Sequence, residues 1–120
     1  MVPRILIADD VLSHRELLRY ALETSGYEVV EVESCEQAVE QAPAFAPHIV
    51  ILYLNMPKMG GCAAARALHG IAAFEKTPIV ALTAATPDHF PVEFDQAGFS
   101  EYLVKPVGPA RLRQCIADLL

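Results

Sequence analysis

Cysteine is scarce in this chain. Its 120 residues hold three, at positions 35, 62 and 115, an odd number at wide spacing with no C-x-x-C pair. That pattern argues against a disulfide framework and against a zinc site. Each cysteine is expected to act as a small buried hydrophobe. Long apolar runs are missing too: no stretch approaches the ~20 residues of a membrane span. The opening Met1-Val2-Pro3-Arg4 lacks the shape of a signal peptide. A soluble, cytoplasmic chain is the expectation.

Basic residues are also in short supply. Lys and Arg total 9 against 15 for Asp and Glu, a formal charge of −6. A surface of that sign repels phosphate backbones and anionic lipid, which disfavours direct nucleic-acid or membrane binding. Six of the ten glutamates lie between Glu23 and Glu40, so much of the charge is expected on one solvated edge. No linker, internal repeat or low-complexity segment appears. A length of 120 residues, inside the usual range of roughly 100 to 150, reads as one domain spanning 1–120. With 53% hydrophobic and 20% charged residues, that domain has the material for a packed core.

Five short apolar or β-branched runs recur: 4–8, 28–32, 48–53, 78–82 and 101–104. The first, third and fourth are almost continuously apolar, as strands buried on both faces should be; the second alternates like an edge strand. Helical patterns lie between them. Val11, Leu18, Ala21 and Leu22 form a stripe on the first, and Ser34-Cys35-Glu36-Gln37 has the form of a capping box opening the second. Cys62–Leu68 is alanine-rich, and Leu112, Cys115, Ile116 and Leu119 give the final helix one apolar face. The fourth helix is weakly specified. Thr86-Pro87-Asp88 is a start signal, but Pro91 is tolerable only in a first turn, so the helix is expected late, near Phe90, or distorted. Strict β-α alternation implies a parallel sheet covered by helices on both faces.

In such a sheet, function gathers at the carboxyl ends of the strands. There the sequence places Asp9 and Asp10 after the first strand, and Tyr53 then Leu54-Asn55-Met56-Pro57 at the end of the third. The fourth strand ends in Thr83-Ala84 and the fifth in Lys105-Pro106. Two carboxylates, a hydroxyl and an ammonium converge on one pocket.

These motifs, with Asn55-Met56-Pro57-x-Met59-x-Gly61 and Tyr102-Leu103-Val104-Lys105-Pro106 in order and in register, strongly resemble the receiver domain of two-component response regulators. The intervals look most like receivers of hybrid histidine kinases. The resemblance implies a flavodoxin-like doubly wound α/β fold of five parallel strands in the order 2-1-3-4-5. It also implies a phosphorelay switch that is not itself an enzyme, with a sensor histidine kinase or other signalling protein as partner. The surface usually engaged, also a homodimer face, is that of the fourth helix, fifth strand and final helix. By position, Asp10 would ligate Mg²⁺ directly, Asp9 through water, and Asn55 through its carbonyl. Thr83, Ala84, Lys105 and Pro106 would line the phosphate pocket, with Thr83 and Tyr102 as the switch pair.

One residue departs from the family. The phosphoacceptor Asp is replaced by Tyr53, and no shift of register supplies another carboxylate, because His48-Ile49-Val50-Ile51-Leu52 contains none. A phenol, with an ordinary pKa of ~10, is neutral at pH 7 and a poor ligand for a hard cation. No tightly bound cofactor is therefore expected. The ring should fill the space of metal and phosphoryl group, with its hydroxyl hydrogen-bonded among Asp9, Asp10 and Lys105. The four histidines, scattered without metal-ligand spacing, read as structural or surface residues. Three functions follow in order of support: a degenerate receiver acting without phosphorylation; a receiver phosphorylated unusually, on Tyr53, Asp9 or Asp10; and a flavodoxin-like cofactor binder. The last is disfavoured because Asp9-Asp10 stands where a phosphate-cradling loop would be needed.

Overall fold

A computed structural model describes residues 2–56, 58–84 and 97–120. Among the described residues the elements run, in chain order, β1 (Arg4–Ala8), α1 (Leu12–Glu23), β2 (Glu28–Val32), α2 (Cys35–Phe45), β3 (Ile49–Tyr53), α3 (Gly61–His69), a short 3₁₀ turn (Ala72–Phe74), β4 (Ile79–Thr83), β5 (Glu101–Val104) and α4 (Pro109–Leu119). All pair in parallel, in the order β2-β1-β3-β4-β5. This is the flavodoxin-like arrangement expected. The helix anticipated near Phe90 lies outside the described residues.

The apolar runs explain the sheet's place in the core. Alternate residues of β1 and β3 serve two separate packing layers: Leu6, Ala8, Val50 and Leu52 pack with Ala38 and Ala42 of α2 and Ala64, Ala65 and Leu68 of α3. Ile5, Ile7, Ile49 and Ile51 point the other way, against Leu18 and Leu22 of α1 and Leu112, Cys115 and Ile116 of α4. Burying each large aliphatic side chain is worth about 1.5 to 3 kcal/mol, so the central strands anchor everything carried at their ends. The second run, β2, lies at the sheet's edge, but its faces are both packed: Val29 joins one layer and Val32 the other.

Two local expectations shift. Val11 does not join the buried stripe of α1; it sits at the N-cap in an extended conformation, 38% exposed, and the fourth buried position goes to Arg15. The capping box of α2 forms by half. Ser34 Oγ accepts from the Gln37 N–H at 3.1 Å, but Gln37 Oε1 accepts from the N–H of Glu33, one residue before the cap, at 2.8 Å. Cys35 and Cys115 are buried as anticipated, while Cys62 is only partly so.

Candidate functional site

The register of the parallel sheet brings the strand ends together. Ala8 pairs with Leu52, Tyr53 with Leu82, and Thr83 with Val104, so Asp9, Tyr53, Thr83 and Lys105 finish at one level. Backbone bonds fix this rim: the Asp9 N–H donates to Val32 O at 3.3 Å, the Leu54 N–H to Leu82 O at 2.9 Å, and the Lys105 N–H to Thr83 O at 2.8 Å. The Lys105–Pro106 peptide is cis.

Asp9 is fully buried and engaged on three sides. Its Oδ1 accepts from the Val11 N–H at 3.0 Å, its backbone carbonyl accepts from Arg15 Nη1 at 2.7 Å, and its Oδ2 stands 2.6 Å from Lys105 Nζ. A buried carboxylate with a cation at that distance is an ion pair held in a poorly solvated place, where loss of either partner leaves the other uncompensated. Arg15, itself buried, extends the network to the sheet edge, 3.9 Å from Glu31 and 4.0 Å from Glu33.

Lys105 has two further neighbours. Its Nζ lies 2.8 Å from His14 Nδ1 and 3.8 Å from the centroid of the Tyr53 ring. The side chain is 13% exposed. An ammonium only donates, so Nδ1 of His14 is the acceptor and a neutral ring carries its proton on Nε2. The contact with Tyr53 is a cation over an aromatic face, attractive through the ring's quadrupole.

This arrangement corrects two readings of the sequence. Among the described residues, Tyr53 meets the polar cluster through its ring face and not through its hydroxyl. Asp9 instead takes the Val11 N–H on one carboxylate oxygen and the Lys105 ammonium on the other. His14 is the residue that sequence reasoning missed: it is no bystander but a direct neighbour of Lys105. His48 and His69 are structural as expected, His48 Nδ1 accepting from the Arg4 N–H at 2.9 Å and His69 Nε2 lying 3.1 Å from Thr77 O. His89 lies outside the described residues.

The remaining expected residues occupy the rim. Thr83 is buried, whereas Asp10, Asn55, Ala84 and Pro106 are exposed. Tyr102 is 37% exposed and pairs with Ala81 across β4 and β5. Beneath the floor, the Cys35 thiol points to the Tyr53 carbonyl at 3.8 Å. Burial, then the charges of Glu36 and Asp10, push that thiol up to about 12. It therefore stays protonated and inert as a nucleophile at neutral pH.

The sequence matches the family described as "Response regulator receiver domain" over residues 5–117. The chain belongs to that family. As a receiver it is a module of two-component signalling. It is 32% identical to the chemotaxis protein CheY of Bacillus subtilis over 121 residues, covering 100% of this chain and 99% of that one. Among solved structures, the receiver superposes on the chemotaxis protein CheY4 of Vibrio cholerae with a TM-score of 0.95 at 28% identity, over 100% of both chains. It also superposes on the receiver domain of the sensor histidine kinase PA1611 of Pseudomonas aeruginosa, with magnesium in its active-site cleft. There the TM-score is 0.90 at 26% identity, over 99% of this chain and 98% of the other. The receiver spans 49% of the length of a further curated relative and 16% of another.

Proposed function

We propose that this receiver regulates without accepting a phosphoryl group, as an interaction module whose output is set by partner binding. The observation that carries this reading is Tyr53 at the end of β3 with Lys105 Nζ 3.8 Å over its ring. In the family an Asp at that place attacks the phosphoryl group, with a divalent cation and a Lys ammonium engaging it. Here the nucleophile is a phenol, which needs an adjacent base or a lowered pKa to react.

The donor set does not fit Mg²⁺. A hard cation takes six oxygen ligands in near-octahedral order. Of the carboxylates, Asp9 is committed to Lys105 and Val11, leaving the exposed Asp10 and the Asn55 carbonyl. Among the described residues no group of three His, Cys, Asp or Glu side chains could hold a metal. No step of the function is therefore routed through a metal.

What this chain's residues do instead is hold one arrangement. Lys105 ties the β5 end to the β1 end through Asp9 and to α1 through His14, and Tyr53 fills the space beneath it. A sensor histidine kinase or another signalling protein is the fitting partner, met on a surface that includes β5 and α4. A homodimer through the same face is the alternative assembly. The chain works as one domain over 1–120, in the cytoplasm; no described helix is long and apolar enough to cross a membrane. Placement inside a hybrid histidine kinase accords with the spacing of its motifs and the PA1611 likeness.

Calorimetric titration of the purified chain with Mg²⁺ and Mn²⁺ tests this. The expected result is no heat of binding in the micromolar range; a micromolar dissociation constant for either ion would overturn the reading.

A further inference from the structure

We infer that His14 is a positioning residue that occupies an N–H of Lys105 which an oxyanion at position 53 would need. The lock on this pocket is then built from two residues, and restoring the acidic side chain alone does not reopen it. The inference deepens the proposed loss of phosphoryl acceptance and rests on it.

The geometry around one ammonium carries the argument. Lys105 has three N–H bonds and no acceptor capacity. Three groups face it: Asp9 Oδ2 at 2.6 Å, His14 Nδ1 at 2.8 Å and the Tyr53 ring at 3.8 Å from its centroid. Nothing in that set leaves an N–H turned toward an incoming oxyanion. Replacing Tyr53 by Asp deletes the ring but leaves the other two groups. Both still engage N–H bonds of the ammonium, Asp9 from the end of β1 and His14 from α1.

The two remaining contacts differ in what they can release. Asp9 is buried, pinned by Val11 and, through its backbone, by Arg15, so its carboxylate cannot follow Lys105 elsewhere. His14 lies on an exposed position of α1 and contributes only a side-chain acceptor. Removing that acceptor frees one N–H of Lys105 while Asp9 keeps its charge compensated. His14 acts on position 53 only through Lys105.

The test compares beryllofluoride with Mg²⁺, an analogue of a phosphoryl group, on four full-length chains by ¹⁹F and ¹H–¹⁵N spectroscopy: unsubstituted, Tyr53→Asp, Tyr53→Asp with His14→Leu, and Tyr53→Asp with His14→Met. The expected result is no binding by the first, weak binding by the second, and at least tenfold tighter binding by both double variants. The methionine variant guards against a leucine that disturbs α1. In the otherwise unsubstituted chain, His14→Leu should also speed hydrogen exchange of the Lys105 ammonium while leaving the fold's backbone spectrum intact, a readout that a merely structural histidine would not move. Equal affinity of Tyr53→Asp and its double variants, or no binding by any of them, would overturn the role of His14. Binding by the unsubstituted chain would instead overturn the proposed function beneath it.

Discussion

Lys105 Nζ stands 3.8 Å from the centre of the Tyr53 ring, so the residue that replaces the family's acidic acceptor also supplies the platform on which the pocket's cation rests. A carboxylate at position 53 would attract that ammonium through charge; the phenyl face attracts it through its quadrupole, without needing a metal to balance the site. The substitution therefore leaves the cation resting on an aromatic face where the family has a carboxylate.

The ring and not the hydroxyl is the part of Tyr53 that matters to stability. Tyr53→Phe is expected to unfold in urea within about 0.5 kcal/mol of the unsubstituted chain, a change typical of neutral sites. Tyr53→Leu keeps bulk but loses the aromatic face, at a cost of about 0.5 to 2 kcal/mol. A large loss in the phenylalanine variant would show that the hydroxyl is engaged after all.

Lys105 compensates a fully buried carboxylate, so its removal should be severe. Lys105→Met is expected to cost about 3 to 5 kcal/mol by leaving Asp9 charged and unpaired. Asp9→Asn combined with Lys105→Met should recover part of that loss, because the uncompensated charge disappears with its partner. Urea unfolding of the two single variants and the double gives the coupling directly.

Ser34 closes the N-terminus of α2 with a single bond, from the Gln37 N–H to its Oγ at 3.1 Å. Ser34→Ala should destabilise by about 1 kcal/mol, whereas Ser34→Asp, which keeps an acceptor, should not. Thermal unfolding of the pair distinguishes loss of the cap from a general effect of substitution.

The thiols give a pH signature. Burial raises Cys35 from 9.0 to about 12, and Cys115 is raised as well, by burial first and then by Glu101. A group whose native form holds its proton more tightly than the unfolded chain does contributes no pH dependence at neutrality. For Cys35, stability should then fall between pH 9 and pH 12, by up to about 1.4 kcal/mol per pH unit, and Cys115 adds to the fall above pH 9. In native conditions at pH 8, a thiol reagent should modify the partly exposed Cys62 first, with Cys35 and Cys115 reacting only on unfolding. Fast labelling of Cys35 would contradict its burial.

The fold was legible because its signals are redundant. Apolar runs such as Ile49–Leu52 can serve only a strand covered on both faces, and their alternation with helical stripes leaves few topologies. The ends of those strands were legible for the same reason: a parallel sheet dictates that Asp9, Tyr53, Thr83 and Lys105 share one rim. Pairwise choices on that rim were not. Whether Tyr53 offers its hydroxyl or its face to Lys105 depends on how the two side chains meet in space, and no periodicity encodes that. His14 went unseen because a single histidine on a helix has no spacing partner, and its meaning comes wholly from Lys105, 91 residues away. Val11 misled because it fits the apolar stripe of α1 while standing at the cap, where the backbone is already extended.

The central claim, that this receiver takes no phosphoryl group, is tested most directly by intact mass. Incubated with a small phosphodonor and Mg²⁺, the unsubstituted chain is expected to keep its mass. A rise by one phosphoryl group, mapped to Tyr53, Asp9 or Asp10, would contradict the account.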